Sequence, residues 1–128
     1  MGLRSKNFVR TIQIIFGIML IVFGLNIFFQ FMPAPEFNEA ASAYLGALFA
    51  TGYIFPIMAI VWILVGLLFI FNKCSPLGAV IIFPISLNII LFHIFLDFTG
   101  WLFGFMILIL NLYMLYVHWN AYRPMCGE

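Results

Sequence analysis

The residues best equipped for chemistry lie in one apolar stretch, Pro84 to Asp97, which carries Ser86, Asn88, His93 and Asp97. An imidazole exchanges protons near neutral pH, and a carboxylate one turn away can orient or stabilise it. Spacings of seven and four place Ser86, His93 and Asp97 on one helical face, with Asn88 nearly opposite. Ser86 and His93 are two turns apart, too far for a nucleophile–base hydrogen bond. Inside an apolar helix each such group is costly unless it has a partner. The run therefore marks either a site or hydrogen bonding between helices.

Other polar residues fall at related spacings. Asn26 and Gln30 form an i, i+4 pair, and Gly100, Gly104, Asn111 and His118 share a face further on. Gly100-x-x-x-Gly104 is a spacing that lets a neighbouring helix come close. Several chemistries lack their parts. Cys74 and Cys126 are far apart and form no CxxC pair, so thiol–disulfide exchange has no basis. Two His without clustered carboxylates make no recognisable metal site. No glycine-rich phosphate loop is present.

The elements that must position these residues follow from composition. Hydrophobic residues make up 66% of the 128-residue chain and charged residues 7%, against about 45–50% and about 25% in soluble domains. So few charges cannot keep so much apolar surface in water, and lipid is the natural solvent. The net charge of +1 offers no field for nucleic acid. Four apolar blocks, about 11–31, 53–71, 77–96 and 101–119, each have about 19–21 residues, enough to cross a hydrocarbon core. The expected fold is all-α: a single four-helix transmembrane domain over residues 1–128, running up-down-up-down.

Arg4, Lys6 and Arg10 before the first block resemble a signal peptide. The block is longer than a usual signal core, so it reads as an uncleaved first helix. Pro33-Ala34-Pro35 ends that helix. Glu36 to Ala50 is helix-forming and reads as a short interfacial helix, its plainest role that of a connector covering the bundle mouth. Pro56 and Pro84 read as structural features of the second and third spans. With the N-terminus inside, Arg4, Lys6, Arg10, Lys73 and Arg123 all fall on the cytoplasmic side with Glu128, and Glu36, Glu39 and Asp97 fall outside. Both termini are then cytoplasmic, in a multi-pass protein.

Depth sorts the polar groups. Asn26, Gln30, His93 and Asp97 belong to the outer half, with Tyr53 entering from the second span. Asn88 and Asn111 lie near mid-membrane, and His118 lies near the inner surface. The candidate polar pocket is Asn26, Gln30, Tyr53, Asn88, His93 and Asp97. The competing reading is interhelical bonding, worth roughly 0.6–2 kcal/mol per group. Asn88 and Asn111 do not supply a continuous polar path, which disfavours a solute or proton conduit.

The chain resembles the DoxX family of small four-helix bacterial membrane proteins. The carriers are Gly24-Leu25-Asn26, Thr51-Gly52-Tyr53-Ile54-Phe55-Pro56, Gly66-Leu67-Leu68, the run from Asn88 to Asp97, and Tyr122-Arg123-Pro124. The resemblance covers nearly the whole chain, and the third-span run is its most specific part. It implies a bacterial inner-membrane protein, with Asn26, Asn88, His93 and Asp97 as the motif residues. Some such proteins are associated with quinol or thiosulfate oxidation or with thiol and oxidative-stress complexes, and many are accessory subunits. Relatives often carry an acid where Trp62 stands, and Ala59 lacks the basic character of others. Trp62 can neither relay protons nor pair with a cation. The expectation is a non-catalytic accessory subunit without a cofactor, packed against other membrane subunits or copies of itself. The alternative is a redox-linked protein that binds quinone or a small sulfur compound in the outer-half pocket.

Overall fold

A computed structural model describes residues 5–32 and 36–127. The expectations resting on Arg4, Pro33-Ala34-Pro35 and Glu128 lie outside the described residues. Those residues form helices and connecting turns, with no strand. Six helices follow in order: α1 (Lys6–Phe29), α2 (Glu39–Ala50), α3 (Ile54–Ile70), α4 (Ser75–Phe95), α5 (Trp101–Val117) and the short α6 (Trp119–Tyr122).

The boundaries differ from the apolar blocks for local reasons. α1 starts five residues before the first block, because Lys6 and Arg10 are good helix formers whatever their polarity. It ends where Gln30 adopts a left-handed conformation (φ 51°), its N–H donating to the Asn26 carbonyl. α2 is capped by Asn38, whose side chain accepts from the Ala41 N–H at 2.8 Å. A turn at Gly52 (φ 78°) separates α2 from α3, and the two helices meet at 87°. α3 has 17 residues, about 26 Å at 1.5 Å per residue. Pro56 sits in its first turn, where a missing N–H costs nothing. Pro84 lies inside α4 and removes one bond to the Val80 carbonyl.

By length and composition, α1, α4 and the stretch Phe98–Val117 can each cross a membrane. α2 and α3 make a fourth if the bent pair is one span. α1 packs chiefly on α3, α4 on α5, and α3 on α4, with α1 also touching α5. One core joins Phe16 and Leu20 of α1, Trp62, Val65 and Phe69 of α3, Ala79 and Ile82 of α4, and Ile107 and Met114 of α5. α1 and α3 touch backbone to backbone at Gly17 and Gly66. A Cβ on Gly66 would stand 2.6 Å from the Gly17 carbonyl oxygen, and one on Gly17 would stand 2.8 Å from that of Gly66. Only glycine allows that approach.

Hydrogen bonds tie the helix ends together. At one end Arg10 Nη1 donates to the Phe69 carbonyl at 2.8 Å and Nη2 donates to that of Ile70. Arg10 thus caps the C-terminus of α3, whose last carbonyls have no partner within the helix. Gln13 Nε2 bonds Phe69 O and Asn72 Oδ1, both at 2.8 Å, and His118 Nε2 stands 3.4 Å from Gln13 Oε1. Tyr122 donates to the Pro76 carbonyl at 2.6 Å. Burial pushes its phenol up to about 12, so it stays a donor at any ordinary pH. The start of α1, the end of α3, the start of α4 and the end of α5 therefore meet at one end of the molecule.

Candidate functional site

The other end carries the residues that the sequence singles out. His93, on the last turn of α4, is buried, at 7% exposed. Its ring lies against the backbone of Gly100 and Gly104. A Cβ on Gly100 would stand 2.5 Å from His93 Cε1, and one on Gly104 would stand 2.9 Å from Cδ2. The glycine pair thus makes room for an imidazole as well as for a neighbouring helix. Phe92 adds an edge-on contact at 5.1 Å between ring centres.

His93 Nδ1 stands 3.1 Å from the backbone carbonyl oxygen of Asp97. A carbonyl only accepts, so Nδ1 carries the proton, and Nε2 of the neutral ring is left as an acceptor. Nε2 has no hydrogen-bond partner among the described residues. The Asp97 carboxylate does not bond the ring. α4 ends at Phe95, and Asp97 is extended (φ −148°), capping the 3₁₀ turn Phe98–Gly100. Oδ1 accepts from the Thr99 N–H at 3.0 Å and from the Thr99 hydroxyl, and Oδ2 accepts from the Asn38 N–H at 3.2 Å. The Thr99 hydroxyl and N–H hold the Asp97 carboxyl below its ordinary 3.8, helped by the Asn38 N–H. The expected face of Ser86, His93 and Asp97 is interrupted because the helix stops before Asp97. Ser86 is buried and donates to the Ile82 carbonyl of its own helix at 3.2 Å.

Beside His93 lies a cavity of ≈ 400 Å³ bounded by α2, α3, α4 and α5. Tyr44 and Leu48 of α2, Trp62 of α3, Asn88 and His93 of α4 and Phe103 of α5 are among its walls. Aromatic contacts hold the walls in place, with ring centres 5.7 Å apart for Tyr44 and Phe92 and 5.0 Å for Phe23 and Phe103. The cavity reaches from His93 round to Asn88, which the helical wheel sets nearly opposite, because α2 crosses over that flank of α4. Asn88 Nδ2 donates to the Tyr44 hydroxyl at 3.1 Å. Asn38 fastens the start of α2 to Asp97 and to the Leu96 carbonyl.

Trp62 is 6% exposed, and its indole N–H is buried without a partner. Buried donors nearly always have a partner, so an orphan next to a cavity is informative. Among the described residues Asn111 has the other orphan, Oδ1, deep in the core, and its Nδ2 donates to the Ala79 carbonyl at 3.0 Å. That bond joins α5 to α4, as interhelical bonding requires.

Of the six pocket residues read from the sequence, Asn88 and His93 line this cavity, and Asp97 supports it through its carbonyl. Tyr53 is 59% exposed and lines a neighbouring groove of ≈ 390 Å³, which Asn88 also borders. Asn26 and Gln30 do not line the cavity. Asn26 Oδ1 accepts from the Met32 N–H at 2.8 Å, and Gln30 is exposed at the end of α1. The sequence reading passed over Asn38, Tyr44 and Trp62 as site residues. An Asn ahead of Glu-Ala-Ala is a helix-capping signal. A Trp in an apolar span carries a donor that needs an acceptor. No protein-family model, curated protein or solved structure matches the chain.

Proposed function

We propose that this is a membrane-spanning protein that holds a small, largely apolar molecule in the cavity beneath α2. In this reading α1, α3, α4 and α5 run up-down-up-down across a bacterial inner membrane, with both termini in the cytoplasm. Two features support the placement. Only 28%, 33% and 22% of the most apolar windows of the three long spans are buried, which leaves apolar side chains such as Ile18, Leu91 and Ile109 facing outward. Lys6, Arg10, Lys73 and Arg123 share the end where Arg10 meets α3, and Asp97 lies at the other.

The observation that carries the ligand is the unpartnered Trp62 N–H at an aromatic-walled cavity. A guest with a carbonyl or similar acceptor satisfies it once a small side-chain shift opens the buried N–H to the cavity. His93 Nε2, itself an acceptor, takes a second bond only from a guest that also carries a donor. A quinone belongs to that class. We read the function as binding rather than turnover: the Asp97 carboxylate is committed to Thr99 and Asn38, so among the described residues no carboxylate–imidazole pair faces the cavity. Titration with a short-chain benzoquinone tests this. Wild type should bind at one saturable site. Trp62→Phe should weaken binding about tenfold, the worth of one buried hydrogen bond, without lowering thermal stability. Equal affinity in the variant would sink the reading.

A second reading, a non-catalytic accessory subunit of a larger membrane complex, draws on the exposed small residues Ala40, Ala43 and Ala47 of α2. It expects co-purification with a larger partner in mild detergent. Both readings are compatible with the DoxX resemblance, which rests on the quoted motifs.

A further inference from the structure

The end opposite the cavity carries a second concave site of different chemistry. An open groove of ≈ 550 Å³ is lined by Lys6, Asn7, Arg10, Gln13, Asn72 and His118. Val9 and Val117 supply its apolar part. No carboxylate is among the lining residues. The described acids, Glu36, Glu39 and Asp97, belong to α2, to the chain just before it, and to the α4–α5 turn at the far end.

Of the two cations, Arg10 is held in place and Lys6 is exposed. Lys6 and Arg10 are one turn apart on α1 and share a face. Arg10 is pinned by the Phe69 and Ile70 carbonyls, so its charge cannot swing out of the groove. The buried Gln13 fixes Asn72 beside it, both Gln13 donor contacts being used internally. Lys6 is exposed and pairs with no carboxylate among the described residues. Cationic and amide donors without an acid suit a phosphate. The groove lies where the charged start of α1 gives way to its apolar run from Ile12, which in a bilayer is headgroup level.

We infer that this groove binds the phosphate of an anionic phospholipid headgroup, with Lys6 as the ligand-facing charge and Arg10 as the fixed one. The inference rests on the membrane placement proposed above and is independent of the cavity ligand. A free phosphate shares the chemistry, but the apolar flank of Val9 and Val117 favours a lipid, whose acyl chains continue into the membrane.

The test uses the full chain in detergent, titrated with phosphatidylglycerol, phosphatidylcholine or inorganic phosphate and read by native mass spectrometry. Flotation with vesicles of phosphatidylcholine alone runs beside it. Phosphatidylglycerol should bind at least about fivefold more tightly than phosphatidylcholine, and Lys6→Gln should remove about fivefold, while Lys6→Arg keeps the affinity. Inorganic phosphate should not displace the lipid. Equal affinity for the two lipids, or an unaffected Lys6→Gln, overturns the inference. Displacement of phosphatidylglycerol by inorganic phosphate overturns the lipid assignment. Flotation together with equal affinity for the two lipids in the titration counts against this site alone, whereas failure to float at all removes the membrane placement and this site with it. Arg10 is left intact, because its loss would uncap α3.

Discussion

His93 shows how a single residue is held by what its neighbours lack. Its ring occupies space that a methyl group on Gly100 or Gly104 would fill. Gly104→Ala puts a carbon 2.9 Å from Cδ2 and 3.3 Å from the Ile90 Cα. Overpacking of this kind costs about 1–3 kcal/mol, which thermal unfolding in detergent should show as a lowered midpoint. Asp97 makes a pH-dependent contribution. Its folded-state pKa is lowered from 3.8, first by the Thr99 hydroxyl and N–H and then by Asn38. The stabilisation is therefore fully present above the ordinary value and is lost as pH falls below it through the folded value. Amide exchange at the start of α2 should accelerate over that acidic range. In Asp97→Asn this acid step should be absent.

At the scale of elements, the decisive contact is the crossing of α1 and α3. In the bilayer proposed above, water does not drive helices together, and close packing has to supply the attraction. Gly17 and Gly66 provide it by letting the two backbones touch. Gly66→Ala should force the helices apart and destabilise the pair by about 1–3 kcal/mol, measurable by unfolding in mixed micelles. A Gly17→Ala, Gly66→Ala double variant should cost less than the sum, since one separation relieves both clashes. α2 is held differently, by Asn38 at its start and Tyr44 along its length. Its sequence is legible as a helix, from the capping Asn38 and the alanines. Its role as a wall of the cavity is not, because that depends on an 87° bend and on bonds to residues more than forty positions away.

At the scale of the molecule, the two ends differ in charge. Cys74 and Cys126 are free and exposed, and both belong to the end that the proposed orientation sets in the cytoplasm. A membrane-impermeant maleimide should label both from the cytoplasmic side only, and Ser42→Cys on exposed α2 from the other side only. Labelling of Cys74 and Cys126 from opposite faces would contradict the arrangement. The four apolar blocks marked where the long helices lie, to within about five residues at each end, because hydrophobicity and backbone breakers are local properties. The candidate site was legible at Asn88, His93 and Asp97, since a polar group in an apolar helix stands out in any window.

By itself the sequence determined a helical, lipid-compatible chain, its polar run, and the glycine spacing of Gly100 and Gly104. Only the tertiary structure decided what those residues do. It turned the Asp97 carboxylate away from His93 because α4 stops at Phe95. It left Asn26 and Gln30 at the end of α1, one in a local bond and the other exposed. It brought Trp62 to the cavity, where an indole that had read as a missing acid is a donor without a partner. The physical reason is the same in each case. Residue type sets what a group needs, but helix ends and helix crossings, which join distant parts of the chain, determine whether the need is met.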